Sequence, residues 1–409
     1  MSFFPVDMRI LHTADWHLGQ RLHGYDRAEE HAHFFRWLLA QLHHYQPDAM
    51  LVAGDVFDSL NPSAQAQRQY YELMGTLSRE FPELQVVVCA GNHDSGLRLE
   101  AASPLLRCFR IEVRGTVTKD ADGHIDYQQF AVPLQGVNGD CAVCLAIPYL
   151  RVADCPKPSV DGETPYMAFF RELAAAYKDC NTAVILMGHL YAAGATTSTG
   201  KALDALRGGA EAIGREAFPE EIYRYVALGH IHRRQRVFGH DTIRYSGAPL
   251  AMNFGEKGYG HSVNVVDING ENVQVTQVEY TPLVELIQLT GSVEDVLEQV
   301  RRLPEGEVDE KTPIGSFEIR VESPSATLKH DLEECAKGKY LRLGPMRLLL
   351  PPNTGNLTIS QRVQASAFTP QELAEMEFEA QYGAKMPLDM TERLGIAIKA
   401  AVQHEDTGD

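Results

Sequence analysis

Between Arg9 and His232, five short apolar runs each give way, at a small residue, to a carboxylate, amide or imidazole side chain. The five stations are Asp15-Trp16-His17, Gly54-Asp55-Val56-Phe57-Asp58, Gly91-Asn92-His93-Asp94, Gly188-His189 and Gly229-His230-Ile231-His232. The runs before them, Arg9–Thr13, Ala49–Ala53, Gln85–Ala90, Thr182–Met187 and Tyr225–Leu228, have the length and composition of buried strands. Cys141–Ile147 and Val263–Ile268 read the same way, whereas His31–His43, Ala64–Phe81 and Tyr166–Tyr177 repeat apolar residues at helical spacing. Short strands alternating with amphipathic helices predict a layered α/β domain. Open sheets of this kind bind ligands beyond the carboxyl ends of their strands.

The residue types point to metal. In extended chain, residues two apart face the same side, so Asp15 with His17, and His230 with His232, can each reach one ion. Glycine precedes the ligand at four of the five stations, which permits a sharp turn and close backbone approach. Carboxylate, amide and imidazole without cysteine favour a borderline-hard ion such as Mn²⁺ over a structural zinc. Each fragment alone has an ordinary reading: Gly-Asn-His-Asp could be a plain turn, and a lone His189 a core histidine. Their recurrence at successive strand ends sets them apart.

The charge sum, 37 − 55 = −18, counts against a basic nucleic-acid binder. A phosphate-handling chain of this charge needs metal ions or a basic partner. The seven cysteines are scattered, as expected of thiols in a reducing cytoplasm, and the C-x-x-C of Cys141 and Cys144 has no second pair to complete a zinc site. The sequence predicts no membrane span and no signal peptide. No P-loop spacing occurs, and Gly194–Lys201 does not supply one, so ATP dependence would have to come from a partner.

After Pro282 the pattern changes to a small α+β module: strands Leu283–Thr290, Ser316–Val321 and Met346–Leu350, helices Val293–Leu303 and Leu328–Ala336. Residues 351–356 read as a linker. Thr369-Pro370-Gln371-Glu372 then has the composition of a helix start, and a last helix is expected over Thr391–Val402.

The stations, in this order, resemble those of the calcineurin-like metallophosphoesterases, whose two metals share the aspartate of the second motif. The resemblance implies a four-layer α-β-β-α sandwich. It places Asp15, His17, Asp55 and His232 on one divalent cation, and Asp55, Asn92, His189 and His230 on the other. His93 would protonate the leaving oxygen, while Asp58 and Asp94 are candidates for orienting a histidine. Two ions ~3.5–4 Å apart clamp phosphoryl oxygens and activate a water for in-line attack.

Leu11-His12-Thr13-Ala14-Asp15-Trp16-His17-Leu18-Gly19 is similar to the opening of the SbcD-type DNA-repair nucleases, as are Ala146-Ile147-Pro148-Tyr149-Leu150-Arg151 and Arg244-Tyr245-Ser246-Gly247-Ala248-Pro249 to later segments of theirs. The phosphatases of the superfamily carry an arginine soon after the second motif, where this chain has Ser59 and Leu60. The resemblance implies a nuclease domain over 1–281, an α+β capping domain over 282–352, and a linker with C-terminal helices over 353–409 that dock a coiled-coil ATPase of the SbcC type. It implies Mn²⁺, or Mg²⁺, as cofactor and DNA as substrate, cut 3′ to 5′ from duplex ends and internally in single strands and hairpins. It also implies a homodimer, for which Ala64–Phe81 is one candidate helix. Arg21, Arg27, Lys201 and Arg233 are candidate DNA contacts. The competing readings are a phosphoesterase acting on nucleotides or other small phosphodiesters, and a non-catalytic scaffold. The filled set of ligand positions counts against the scaffold.

Overall fold

The computed structural model describes residues 7–136, 139–196, 212–321, 327–349 and 390–391. The chain starts with β1 (Asp7–Thr13), the small hairpin β2 (Arg21–Leu22) and β3 (Tyr25–Asp26), and α1 (Ala28–Tyr45). It continues through β4 (Ala49–Ala53), α2 (Ala64–Glu80), β5 (Gln85–Cys89), the short helices α3 (Gly96–Glu100) and α4 (Ser103–Leu106), and β6 (Ile111–Arg114). Then come β7 (Ala131–Gln135), β8 (Cys141–Ile147), α5 (Pro165–Tyr177), β9 (Ala183–His189) and β10 (Tyr223–Gly229). The strands β11 (Gln235–Val237), β12 (His240–Tyr245), β13 (His261–Asn269) and β14 (Asn272–Tyr280) follow. The last described elements are β15 (Leu286–Ser292), α6 (Val293–Arg301), β16 (Ile314–Arg320), α7 (Leu328–Ala336) and β17 (Arg342–Leu349).

Two six-stranded sheets, β14-β13-β1-β4-β5-β6 and β11-β12-β10-β9-β8-β7, face each other. Their inner strands explain the apolar runs. In β4, Ala49, Leu51 and Ala53 pack between the sheets, while Met50 and Val52 point to the helix side with α1 and α2. In β9, Ala183, Ile185 and Met187 pack between the sheets, and Val184 and Leu186 join Phe169, Phe170 and Leu173 of α5. A strand buried on both faces has to be apolar at every position. The result is the expected α-β-β-α order. Fully burying one such side chain contributes about 1.5–3 kcal/mol.

The apolar runs do not announce β6, β7, β11, β12 and β14, and four of these are the sheet edges. Edge strands face solvent and carry polar residues: β14 is exposed or half-buried at every position before Tyr280. β7 contains Pro133, which an edge tolerates because no neighbour needs its missing N–H. Cys141 is exposed and Cys144 buried, both as free thiols. The apolar face of α2, the candidate dimer helix, is used internally: Tyr70, Leu73, Met74 and Leu77 are buried in the chain's own core.

β15, β16 and β17 form a separate three-stranded sheet accompanied by α6 and α7. Ser292 caps α6 reciprocally with Asp295. This module packs through Val284, Leu286 and Ile314 onto Leu22 and Ala251, with Phe254 alongside. The expected linker at 351–356, the helix start at Thr369, the docking segment after Phe368 and Lys201 lie outside the described residues. So does the last expected helix apart from Thr391.

Candidate metal centre

β1, β4 and β5 are parallel, as are β8, β9 and β10, so each sheet sends its loops off one end. Backbone bonds tie these loops together. The amide of Asp15 donates to the Gly54 carbonyl (3.0 Å) and that of His17 to the Asp55 carbonyl (3.0 Å). Across the two sheets, the amide of Tyr149 donates to the Ala90 carbonyl (2.8 Å).

The turns differ from the extended geometry expected for Asp15-Trp16-His17. Asp15 (φ 56°), His17 (φ 49°), Asp55 (φ 48°) and His230 (φ 100°) all have positive φ. A non-glycine residue held there costs of order 1–3 kcal/mol, and such residues cluster at functional sites. Asp15 and His17 converge because the backbone twists left-handed at both, not because a pleat aligns them. Close approach does account for three of the four glycines. A side chain on Gly91 would overlap Asp55, one on Gly54 the His189 ring, and one on Gly229 both the Ala53 carbonyl and His189. Gly188 is under no such pressure: an added Cβ would meet nothing nearer than Leu190 at 3.4 Å.

The seven expected ligand positions converge. His17 Nε2 lies 3.2 Å from His232 Nε2, and Asp15, His17 and His232 offer ligand atoms within 4.8 Å of one another. Asp15, Asp55 and His189 form a second such group. Asp15 is common to both groups, and Asp55 Oδ2 also spans the two sides, 3.4 Å from His17 Nε2 and 3.3 Å from His189 Nε2. Asn92 Oδ1 completes the second side, 3.0 Å from His189 Nε2 and 2.9 Å from His230 Nδ1. Asp15 Oδ2 is buried without a hydrogen-bond partner among the described residues. Ring nitrogens turned toward each other and an unpartnered buried carboxylate oxygen form a cradle that suits cations.

The electrostatics reflect the crowding. Burial by itself would raise the Asp55 carboxyl, but His189, His17 and His93 outweigh it and hold the group well below the usual range. Burial raises Asp15 against the pull of His189, His232 and His17. Burial also opposes a proton on His189, yet Asp55 and Asp15 carry its pKa up to about 9. His230 goes the other way, to about 3, through burial and the adjacent His189.

The supporting residues divide. Asp58 places a carboxylate oxygen 3.3 Å from His17 Nδ1, and its carbonyl accepts from His93 Nδ1 at 2.9 Å. Contrary to expectation, Asp94 forms no hydrogen bond or ion pair with a histidine among the described residues. Its carboxylate accepts from the amides of Val56 (3.1 Å), Phe57 (2.9 Å) and Gly91 (2.9 Å), which fastens the second station to the third. The sequence reading missed Glu256, a buried carboxylate that accepts from His232 Nδ1 at 3.0 Å and from the Met252 amide at 2.9 Å. Against the cost of burial, this pairing carries the His232 pKa up to about 9. The four-residue spacing Asn253-Phe254-Gly255-Glu256, a capping signature, is the signal that could have found it.

Arg27 cannot reach DNA: it is buried and paired with Glu30 at 2.8 Å. Arg21 pairs with Asp26 at 3.5 Å, Arg234 with Glu279 at 2.7 Å and Arg236 with Asp241 at 3.1 Å. Arg233 lies over the Tyr259 ring, 5.9 Å from its centroid.

Residues 8–234 match the family model of the calcineurin-like phosphoesterases. The SbcD component of nuclease SbcCD from Rhodobacter capsulatus is 35% identical over 396 residues, 92% of this chain and 94% of that protein. The SbcD component from Escherichia coli K12 is 31% identical over 408 residues, covering 93% of both. The Bacillus subtilis one is 36% identical over 272 residues, covering 64% of this chain and 66% of that protein. The chain therefore belongs to the calcineurin-like phosphoesterases, in the family of the SbcD nucleases. It is a hydrolytic phosphodiesterase, of a family that works through a dinuclear divalent metal site.

Proposed function

We propose that this chain is the metal-dependent nuclease component of an SbcCD-type complex, acting in DNA repair and recombination. It hydrolyses DNA phosphodiester bonds, 3′ to 5′ from duplex ends and internally in single strands and hairpins. Its partner is an SbcC-like ATPase, and two copies of the chain pair in the assembly. Residues 1–281 form the nuclease domain, 282–352 the capping domain and 353–409 the docking segment. The observation that carries this reading is the placement of Asp55 Oδ2 between His17 Nε2 (3.4 Å) and His189 Nε2 (3.3 Å).

Asp15, His17, Asp55 and His232 hold one cation, and Asp55, Asn92, His189 and His230 the other. Mn²⁺ suits this donor set best, with Mg²⁺ as substitute. The ions supply charge neutralisation and an activated water. Glu256 keeps the His232 ring turned inward through its 3.0 Å hydrogen bond, while the Asp58 carboxylate lies 3.3 Å from His17 Nδ1 and supports positive charge there. His93 is exposed, and its Nδ1 is committed to the Asp58 carbonyl, which leaves Nε2 to deliver the proton to the leaving oxygen.

The test is cleavage of duplex, hairpin and single-stranded DNA with Mn²⁺ or Mg²⁺, with and without a coiled-coil ATPase partner. Metal-dependent cutting of DNA is expected. Hydrolysis confined to a small chromogenic phosphodiester, with DNA untouched even beside the ATPase and ATP, would shift the reading to small substrates.

A further inference from the structure

The segment Pro148-Tyr149-Leu150-Arg151 follows β8, and the metal centre uses none of its side chains. Its position is nonetheless fixed against that centre. The Tyr149 amide donates to Ala90, just before Gly91-Asn92. The Tyr149 ring is half-buried, its centroid 6.3 Å from that of His189 and 6.4 Å from that of His230.

Two spaces of different size border this residue. One, among Ile147, Leu150, Tyr166, Phe170 and Leu190, is an apolar cavity of about 20 Å³. That is room for one water-sized sphere and far too little for a base. The other is a groove of about 520 Å³, lined among others by Asn92, Ser95, Thr116, Tyr149 and Arg151. The lining joins Asn92, which faces both His189 and His230, with Tyr149 and Arg151. Arg151 is exposed and its amide is anchored on Asp154 at 2.8 Å. Its guanidinium forms no ion pair among the described residues.

A groove that combines an edge of a phosphate-cleaving centre, an aromatic side chain and a guanidinium suits a polynucleotide. The aromatic face accepts any base by stacking, and the guanidinium pairs with a phosphate. Bases stacked within a duplex do not offer a face to a protein ring, so the matching ligand is a single strand or an unpaired end. Resting on the nuclease reading above, we infer that Tyr149 and Arg151 form a nucleotide subsite beside the metal centre. Tyr149 stacks on the base next to the scissile phosphate, and Arg151 grips the adjoining phosphate.

The full chain, wild type and as Tyr149→Ala, Tyr149→Phe and Arg151→Ala, is tested on single-stranded DNA with either a normal base or an abasic sugar beside the cut. Bound metal is measured for each. The wild type should cut the abasic strand less efficiently, by roughly 5- to 100-fold. Tyr149→Ala should treat both strands alike, Tyr149→Phe should keep the preference, and Arg151→Ala should raise KM for DNA. All should hold the wild-type metal content. In a separate binding measurement, 2-aminopurine at that position should be quenched by the wild type and not by Tyr149→Ala. Equal preference, or equal quenching, in Tyr149→Ala overturns the subsite. Absence of DNA cutting by the wild type defeats the nuclease reading instead, and the quenching still decides the subsite.

Discussion

The two sheets contribute unequally to the centre. The first sheet brings both carboxylates, Asp15 and Asp55, together with Asn92, His17 and three of the four residues held at positive φ. The second brings only imidazoles, His189, His230 and His232, at the ends of β9 and β10 or on the loop that follows. Charge runs across the interface: Asp55 is held low while His189 is carried up to about 9. Without metal, the proton on His189 balances the Asp55 carboxylate. The centre is thus a property of the stacked pair, and neither half holds a complete ligand set.

The sharpest way to break this division is Asp55→Ala, which removes the carboxylate that lies within 3.4 Å of both His17 and His189. Both ions should be lost by elemental analysis and cleavage should fall to background. Retention of two ions would show that the first sheet's carboxylate is not shared. His93→Ala separates chemistry from binding on the same sheet. It should keep both ions and cut slower by about 10²–10⁴-fold, the usual contribution of a positioned acid. A wild-type rate in single turnover would remove His93 from the reaction.

On the second sheet's side, Glu256→Gln removes the charge behind His232 while keeping its shape. Metal affinity should weaken by about 10–100-fold, with the folded state retained by circular dichroism. An unchanged affinity would leave Glu256 as a loop fastener for Met252 alone. The smallest effect concerns pH. In the metal-free chain, His189 and His232 keep their protons up to about 9, above the ordinary 6.5. Their contribution to metal-free stability is therefore full below 6.5 and lost as pH rises through about 9. Cation binding must displace these protons, so affinity should rise between 6.5 and 9 by up to about tenfold per pH unit for each proton released. Titration calorimetry in buffers of different ionisation enthalpy counts them, and a binding step with no proton release would contradict the pairing.

The converging positions were readable because strand ends in a two-sheet sandwich must meet at one rim, and each carries its ligand next to a small residue. The inner strands were readable for a related reason: burial on both faces leaves no polar position in Ala49–Ala53 or Ala183–Met187. The edges were not, since β14 has one face for the protein and one for water. Glu256 was hidden because its partner is 24 residues away and meets it only through packing. The left-handed turns at Asp15 and His17 were hidden because no glycine marks them. Arg27 looked free in the sequence, though Glu30 three residues on was a partner in plain sight.

The most direct test of a carboxylate shared between two ions is electron paramagnetic resonance of the chain loaded with two equivalents of Mn²⁺. A spin-coupled pair signal, lost in Asp55→Ala, is the expected result. The six-line spectrum of isolated Mn²⁺ at full occupancy would contradict it.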